Sequence, residues 1–106
     1  MQHYQQGAIK LEPIAICSLF DFCFGNYLKY VLRAPYKGQR DEDLQKALNY
    51  LSWCEMEGDQ LTSKLNQFGS VLYHTKHPLI VPFAYCKNLE STCKQVRDQI
   101  VRELLN

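Results

Sequence analysis

Phe22-Cys23-Phe24-Gly25-Asn26-Tyr27-Leu28-Lys29-Tyr30-Val31-Leu32-Arg33-Ala34 is the stretch on which the fold turns. Phe24, Tyr27, Leu28 and Val31 recur at helical spacing and define an apolar face. Asn26, Lys29, Tyr30 and Arg33 recur at the same spacing. Positions 24 and 26 lie about 200° apart around a helix, so this second, polar set faces roughly the other way. Asp21 stands where a cap belongs and Pro35 where the helix must stop. A two-faced helix over Phe22 to about Ala34 follows.

Further helices extend from it in both directions. Pro13 suits the first position of a short helix to about Leu19, after an extended arm over residues 1–12. Asp41-Glu42-Asp43 places three carboxylates at the positive start of a helix reaching about Glu57. Its buried stripe is Leu44, Ala47, Leu48, Leu51 and Cys54. Leu61, Leu65, Phe68, Val71 and Leu72 suggest a helix from about Asp59 to Tyr73, despite Gly69. Asn88 can cap a last helix whose stripe is Leu89, Cys93, Val96, Ile100 and Leu104. Leu79 to Tyr85 contains Pro82 and reads as a buried extended segment, or as half of a hairpin with Ser70–Thr75. The expected fold is mainly α: one small bundle of four to five helices, with a short extended segment or hairpin around 70–86.

With 106 residues, 46% hydrophobic and 22% charged, the chain suits a single globular domain. Twelve basic and eleven acidic side chains give a net charge of only +1, which disfavours duplex nucleic acid as a partner. The apolar runs Pro13–Phe20 and Leu79–Cys86 fall short of the ~20 residues of a membrane span. The start of the chain lacks the order of a signal peptide, so a cytoplasmic location is expected. Five cysteines without a CxxC pair speak for reduced thiols rather than disulfides or a Cys-rich zinc site. Aromatic residues in excess of what a domain this small readily buries point to a homo-oligomer.

The polar face of the 22–34 helix carries an amide, an amine, a phenol and a guanidinium together. Lys37 and Arg40 follow in the loop, and Asp43, Lys46 and Tyr50 make a comparable row on the next helix. Antiparallel, the two rows can enclose a small anion. Arg33 offers a bidentate clamp, Lys29 and Lys46 add charge, and Tyr30, Tyr50 or Tyr4 can stack on a base. Asn26 can read the base edge, and Asp43 can position Lys46 or Arg33 or serve as a catalytic carboxylate. The competing reading is two solvated helix faces with ordinary i,i+4 pairing. On this basis Arg33→Ala should weaken ligand binding with little change in stability, and Leu48→Ala should do the reverse. His74, His77 and Cys86 fall short of the four ligands of a structural zinc site, and no metal site is assigned. Trp53 reads as a core or subunit contact, and Gly25 as a point of close helix packing or of ligand approach to the backbone.

His3-Tyr4, Glu12-Pro13-Ile14, Phe22-Cys23, Gly25-Asn26, Lys29-Tyr30, Arg33, Lys37-Gly38, Glu42-Asp43-Leu44, Lys46-Ala47 and Tyr50-Leu51 form an ordered set. In order and spacing it resembles the SaV-like phage family of unknown function (DUF3310), which includes a phage deoxynucleoside monophosphate kinase. The resemblance covers about residues 3–51; the helical family-like core would span 13–57, and nothing in 58–106 is recognised. It implies a helical phage domain of nucleotide metabolism, acting in an infected bacterial cell. Asn26, Lys29, Tyr30, Arg33, Asp43, Lys46 and Tyr50 carry over as ligand-binding candidates, with Lys37 beside them and His3 and Tyr4 as lid residues.

The expected function is binding of a nucleotide or nucleotide-derived phosphate, including sequestration of a signalling nucleotide. A kinase or phosphohydrolase using Asp43 or Glu42, with magnesium as its cofactor, is the alternative. No GxxxxGK[ST] loop is present, so such an enzyme would not use a P-loop. A factor that docks on a host protein is the third reading.

Overall fold

A computed structural model describes residues 12–36 and 38–106, and these form a small all-α bundle with no strand among them. Six helices follow in order: α1 (Pro13–Cys17), α2 (Phe22–Arg33), α3 (Arg40–Cys54), α4 (Gly58–Gln67), α5 (Gly69–His74) and α6 (Leu89–Leu105). The arm over residues 1–12, with His3 and Tyr4, lies outside the described residues except for Glu12, and so does Lys37.

The apolar face of α2 is the centre of the core. Phe24, Tyr27, Leu28 and Val31 are all buried. Phe24 stacks on Tyr27 at 5.5 Å, and the Phe83 ring meets both edge-on at 5.0 and 5.6 Å. Leu44, Ala47, Leu51 and Cys54 of α3 and Cys93, Val96 and Ile100 of α6 close the core. Leu48, expected among them, is only half-buried. Gly25 brings α1 against α2: a Cβ there would lie 2.9 Å from the Cys17 carbonyl oxygen.

Several boundaries differ from expectation for local reasons. Asp21 precedes α2 in extended backbone but makes no side-chain cap; its carboxylate pairs with Lys64 Nζ at 3.0 Å instead. Helix α3 ends at Cys54, and Glu55–Glu57 tighten into a 3₁₀ turn before Gly58, whose φ of 54° few other residues tolerate. The expected fourth helix is bent into α4 and α5. Gly69 opens α5 because the Tyr85 ring sits on it, only 2.6 Å from where a Cβ would stand. Asn88 does cap α6, accepting a hydrogen bond from Ser91 N at 2.9 Å.

The extended segment or hairpin around 70–86 does not form. Ser70–His74 is helical, and residues 77–86 fold into successive turns, with Val81–Phe83 a 3₁₀ turn. Lys76 and Tyr85 adopt positive φ of 56° and 57°, reversing the chain on either side of this stretch. Pro78 and Pro82 lack the N–H that a ladder would need. Tertiary contacts satisfy the backbone instead. Leu79 N–H donates to His77 Nδ1 at 3.1 Å, and the Leu79 carbonyl accepts the buried Tyr27 hydroxyl at 2.6 Å.

Candidate functional site

Helices α2 and α3 lie side by side with their polar rows together. The best-defined link is between Arg33, at the end of α2, and Asp43, in the first turn of α3. Nη2 donates to one carboxylate oxygen at 2.8 Å and Nε to the other at 3.3 Å. Asp43 is wholly buried, whereas the Arg33 side chain is 34% exposed. The carboxylate holds Arg33 charged and raises its pKa, chiefly through the hydrogen bond. Nη1 of Arg33 makes no hydrogen bond among the described residues and remains directed by a pinned guanidinium. Asp43 is therefore engaged with Arg33, one of the two basic partners foreseen for it.

The ring of Tyr30 is the second feature. Lys29 Nζ, Arg33 Cζ and Lys46 Nζ lie 4.6, 5.2 and 5.4 Å from its centroid. Cations gather there because the face of a phenol ring carries negative quadrupole density, worth about 0.5–1 kcal/mol per contact at exposed sites. Tyr30 also stacks on Tyr50 of α3 at 5.8 Å, with the planes 15° apart. Lys29 and Lys46 are exposed and have no salt bridge among the described residues.

Lys29, Tyr30, Arg33, Asp43, Lys46 and Tyr50 thus come together. Asn26 occupies the same side of α2 one turn earlier, but its Nδ2 donates to the Phe22 carbonyl at 2.8 Å. With Ile14, Phe22 and Lys29 it lines a shallow depression of about 250 Å³ between α1 and α2. The amide oxygen of Asn26 is the group that can still accept. Glu42 is exposed at the start of α3. His3, Tyr4 and Lys37 lie outside the described residues.

Two residues join the site that the polar rows alone did not include. Phe22 and Trp53 meet Tyr50 edge-on at 5.7 and 5.4 Å, and they are 70% and 50% exposed. Trp53 is no core residue. Its spacing was the available signal, since it follows Tyr50 by three residues and Lys46 by seven.

Groups elsewhere have structural partners. His74 Nδ1 lies 2.7 Å from the Ser70 carbonyl, His77 Nδ1 accepts from Leu79, and Cys86 Sγ donates to Thr92 Oγ1 at 3.2 Å. No group of three or more His, Cys, Asp and Glu among the described residues is placed to hold a metal ion. All five cysteines are free thiols. Burial pushes Cys93 up to about 12 and Cys54 well above the ordinary thiol range, so neither is an activated nucleophile. No helix among the described residues is long and apolar enough to cross a membrane.

The model of one family, DUF3310, described as proteins of unknown function, matches residues 1–52. That span contains every candidate site residue from His3 to Tyr50. No curated protein and no solved structure matches the chain significantly.

Proposed function

We propose that the α2/α3 face binds a nucleotide or nucleotide-derived phosphate, in nucleotide metabolism or in sequestering a signalling nucleotide. The observation that carries this reading is the gathering of Lys29, Lys46 and Arg33 around the ring of Tyr30, itself stacked on Tyr50. The arrangement supplies anion-binding charge beside flat aromatic surface, the two features that a nucleotide combines. Asp43 acts as a positioning group: it fixes the Arg33 guanidinium, so that an incoming phosphate meets an ordered donor. Because its carboxylate is buried and engaged, this reading favours binding over kinase or phosphohydrolase chemistry. The SaV-like resemblance adds the setting, a phage-type protein of the bacterial cytoplasm related to a nucleoside monophosphate kinase.

Calorimetric titration with nucleoside mono-, di- and triphosphates, cyclic nucleotides and inorganic phosphate tests the proposal. Lys46→Ala and Lys29→Ala should each weaken nucleotide binding by about 1.5–3 kcal/mol, the range of a charge-assisted contact. As exposed positions they should change stability by less than about 0.5 kcal/mol. Absence of binding to any of these ligands would sink the reading.

A second reading has its own support. Ile14, Phe22, Trp53 and Met56 are 73%, 70%, 50% and 81% exposed, more large apolar surface than a solvated helical face needs. A protein contact, with a host protein or with a second copy of the chain, would cover them.

A further inference from the structure

The site is longer than a mononucleotide requires. Tyr50 touches Phe22 at one side and Tyr30 at the other. These two residues are eight positions apart on α2, about 12 Å along the helix axis at ~1.5 Å per residue. Asn26 lies midway between them in sequence, one turn from each. The face is therefore a strip with two different ends. At one end Lys29, Arg33 and Lys46 surround Tyr30. At the other, Phe22 and Trp53 stand exposed in T-shaped contact with Tyr50.

The local charge suits a polyanion although the whole chain is close to neutral. Of the acids near the aromatic end, Asp21 pairs with Lys64 at 3.0 Å and Glu55 with Arg97 at 2.6 Å, while Glu57 is half-buried beside Cys23 with one carboxylate oxygen unpartnered among the described residues. At the basic end Asp43 is buried against Arg33, while Lys29 and Lys46 are exposed beside the Tyr30 ring.

We propose that this strip binds a short single-stranded nucleic acid, with bases stacking on Phe22, Trp53 and Tyr50 and phosphates lying along Lys29, Lys46 and Arg33. Such binders pair aromatic platforms with a cationic track. Phosphates in a stacked strand are ~3.4 Å apart along its axis, so about 12 Å holds roughly three nucleotides. A nucleoside monophosphate would fill one end and leave Phe22 and Trp53 uncovered. The inference rests on the nucleotide reading above and extends it from a single nucleotide to a strand.

Trp53 is the chain's only tryptophan, so its fluorescence reports directly on the aromatic end. The full chain is titrated with thymidine monophosphate and with oligothymidylates two, four and eight nucleotides long. An oligouridylate series alongside tells a ribo- from a deoxyribo-strand, and either fits the strip. The expected result is quenching that strengthens with length, with affinity rising at least ~10-fold from monophosphate to tetranucleotide and levelling off beyond it. The salt dependence should be shallow, with a log–log slope of about −2 for three phosphates on a single strand. Phe22→Ala should lower tetranucleotide affinity by ~10-fold. By calorimetry, Trp53→Leu should behave the same way.

If the tetranucleotide binds no tighter than the monophosphate, the strand proposal is overturned while nucleotide binding stands. If neither binds, both fail. If Trp53→Leu turns a dimer into a monomer with tetranucleotide affinity intact, the aromatic end is a self-association surface and the strand proposal is again overturned.

Discussion

Tyr27 and Tyr30 stand three residues apart on one helix and have opposite surroundings. The Tyr27 ring is buried between Phe24 and Phe83, and its hydroxyl holds the Leu79 carbonyl. Burial raises its pKa well above the phenol range, so it stays a neutral donor. Tyr30 is half-exposed and ringed by Lys29, Arg33 and Lys46. The inner face of α2 anchors the C-terminal half of the chain; the outer face meets α3, borders α1 through Asn26 and Lys29, and is otherwise open among the described residues. Identical side chains thus serve a core and a charged surface because the helix turns one inward and the other outward. Stability should follow the inner face, and ligand binding the outer one.

The hardest test of this contrast is Leu28→Ala, which removes a fully buried side chain from the inner face. It should cost about 2–5 kcal/mol in denaturant unfolding, while any ligand affinity of the folded fraction stays at wild type. A cost below about 1 kcal/mol would mean that the inner face is not the main support. Leu48→Ala, once expected to show this loss, should show less, because Leu48 is half-buried.

Tyr27→Phe is a gentler probe. It keeps the ring and removes only the hydroxyl, leaving the Leu79 carbonyl without that donor. The expected loss is about 1–3 kcal/mol, with no change at the outer face. If the variant is as stable as wild type, the hydroxyl does not fasten residues 77–86 to α2.

The smallest expected effect is pH-dependent and acts on the same residue from its other side. His77 Nδ1 accepts the Leu79 N–H, and burial lowers the His77 pKa below the ordinary imidazole value. The unfolded chain therefore takes up this proton at higher pH than the folded one. Stability from neutral His77 is complete above the unfolded pKa of ~6.5 and declines as pH falls through the window down to the lowered folded value. Melting temperature should fall on going from pH 7.5 to 5.5, and His77→Asn should flatten that part of the profile. An unchanged profile in the variant would assign the dependence to other groups.

Arg33 shows where a sequence argument about separate faces breaks down. On spacing alone it belongs to the polar row, so its removal should have spared stability. In the folded chain Arg33→Ala would strip the buried Asp43 of a bidentate partner. Its thermal stability should drop as well, which makes Lys29 and Lys46 the cleaner probes of binding. Asp43, placed by its spacing in the polar row with Lys46 and Tyr50, sits one turn before Ala47 on the buried side of α3.

Helical periodicity is local, and the sequence by itself determined what depends on it. Those features are the two faces of α2, the stripe of α3, the Asn88 cap and the polar rows from Asn26 to Tyr50. Tertiary structure alone decided what depends on partners distant along the chain. Tyr27 reaches Leu79, Tyr85 covers Gly69, Asp21 leaves its helix start for Lys64, and Phe22 and Trp53 meet across Tyr50. The stretch 77–86 belongs with these. Its apolar residues and prolines carry no period, and its turns form because α2 supplies a hydroxyl and an aromatic surface to fold against.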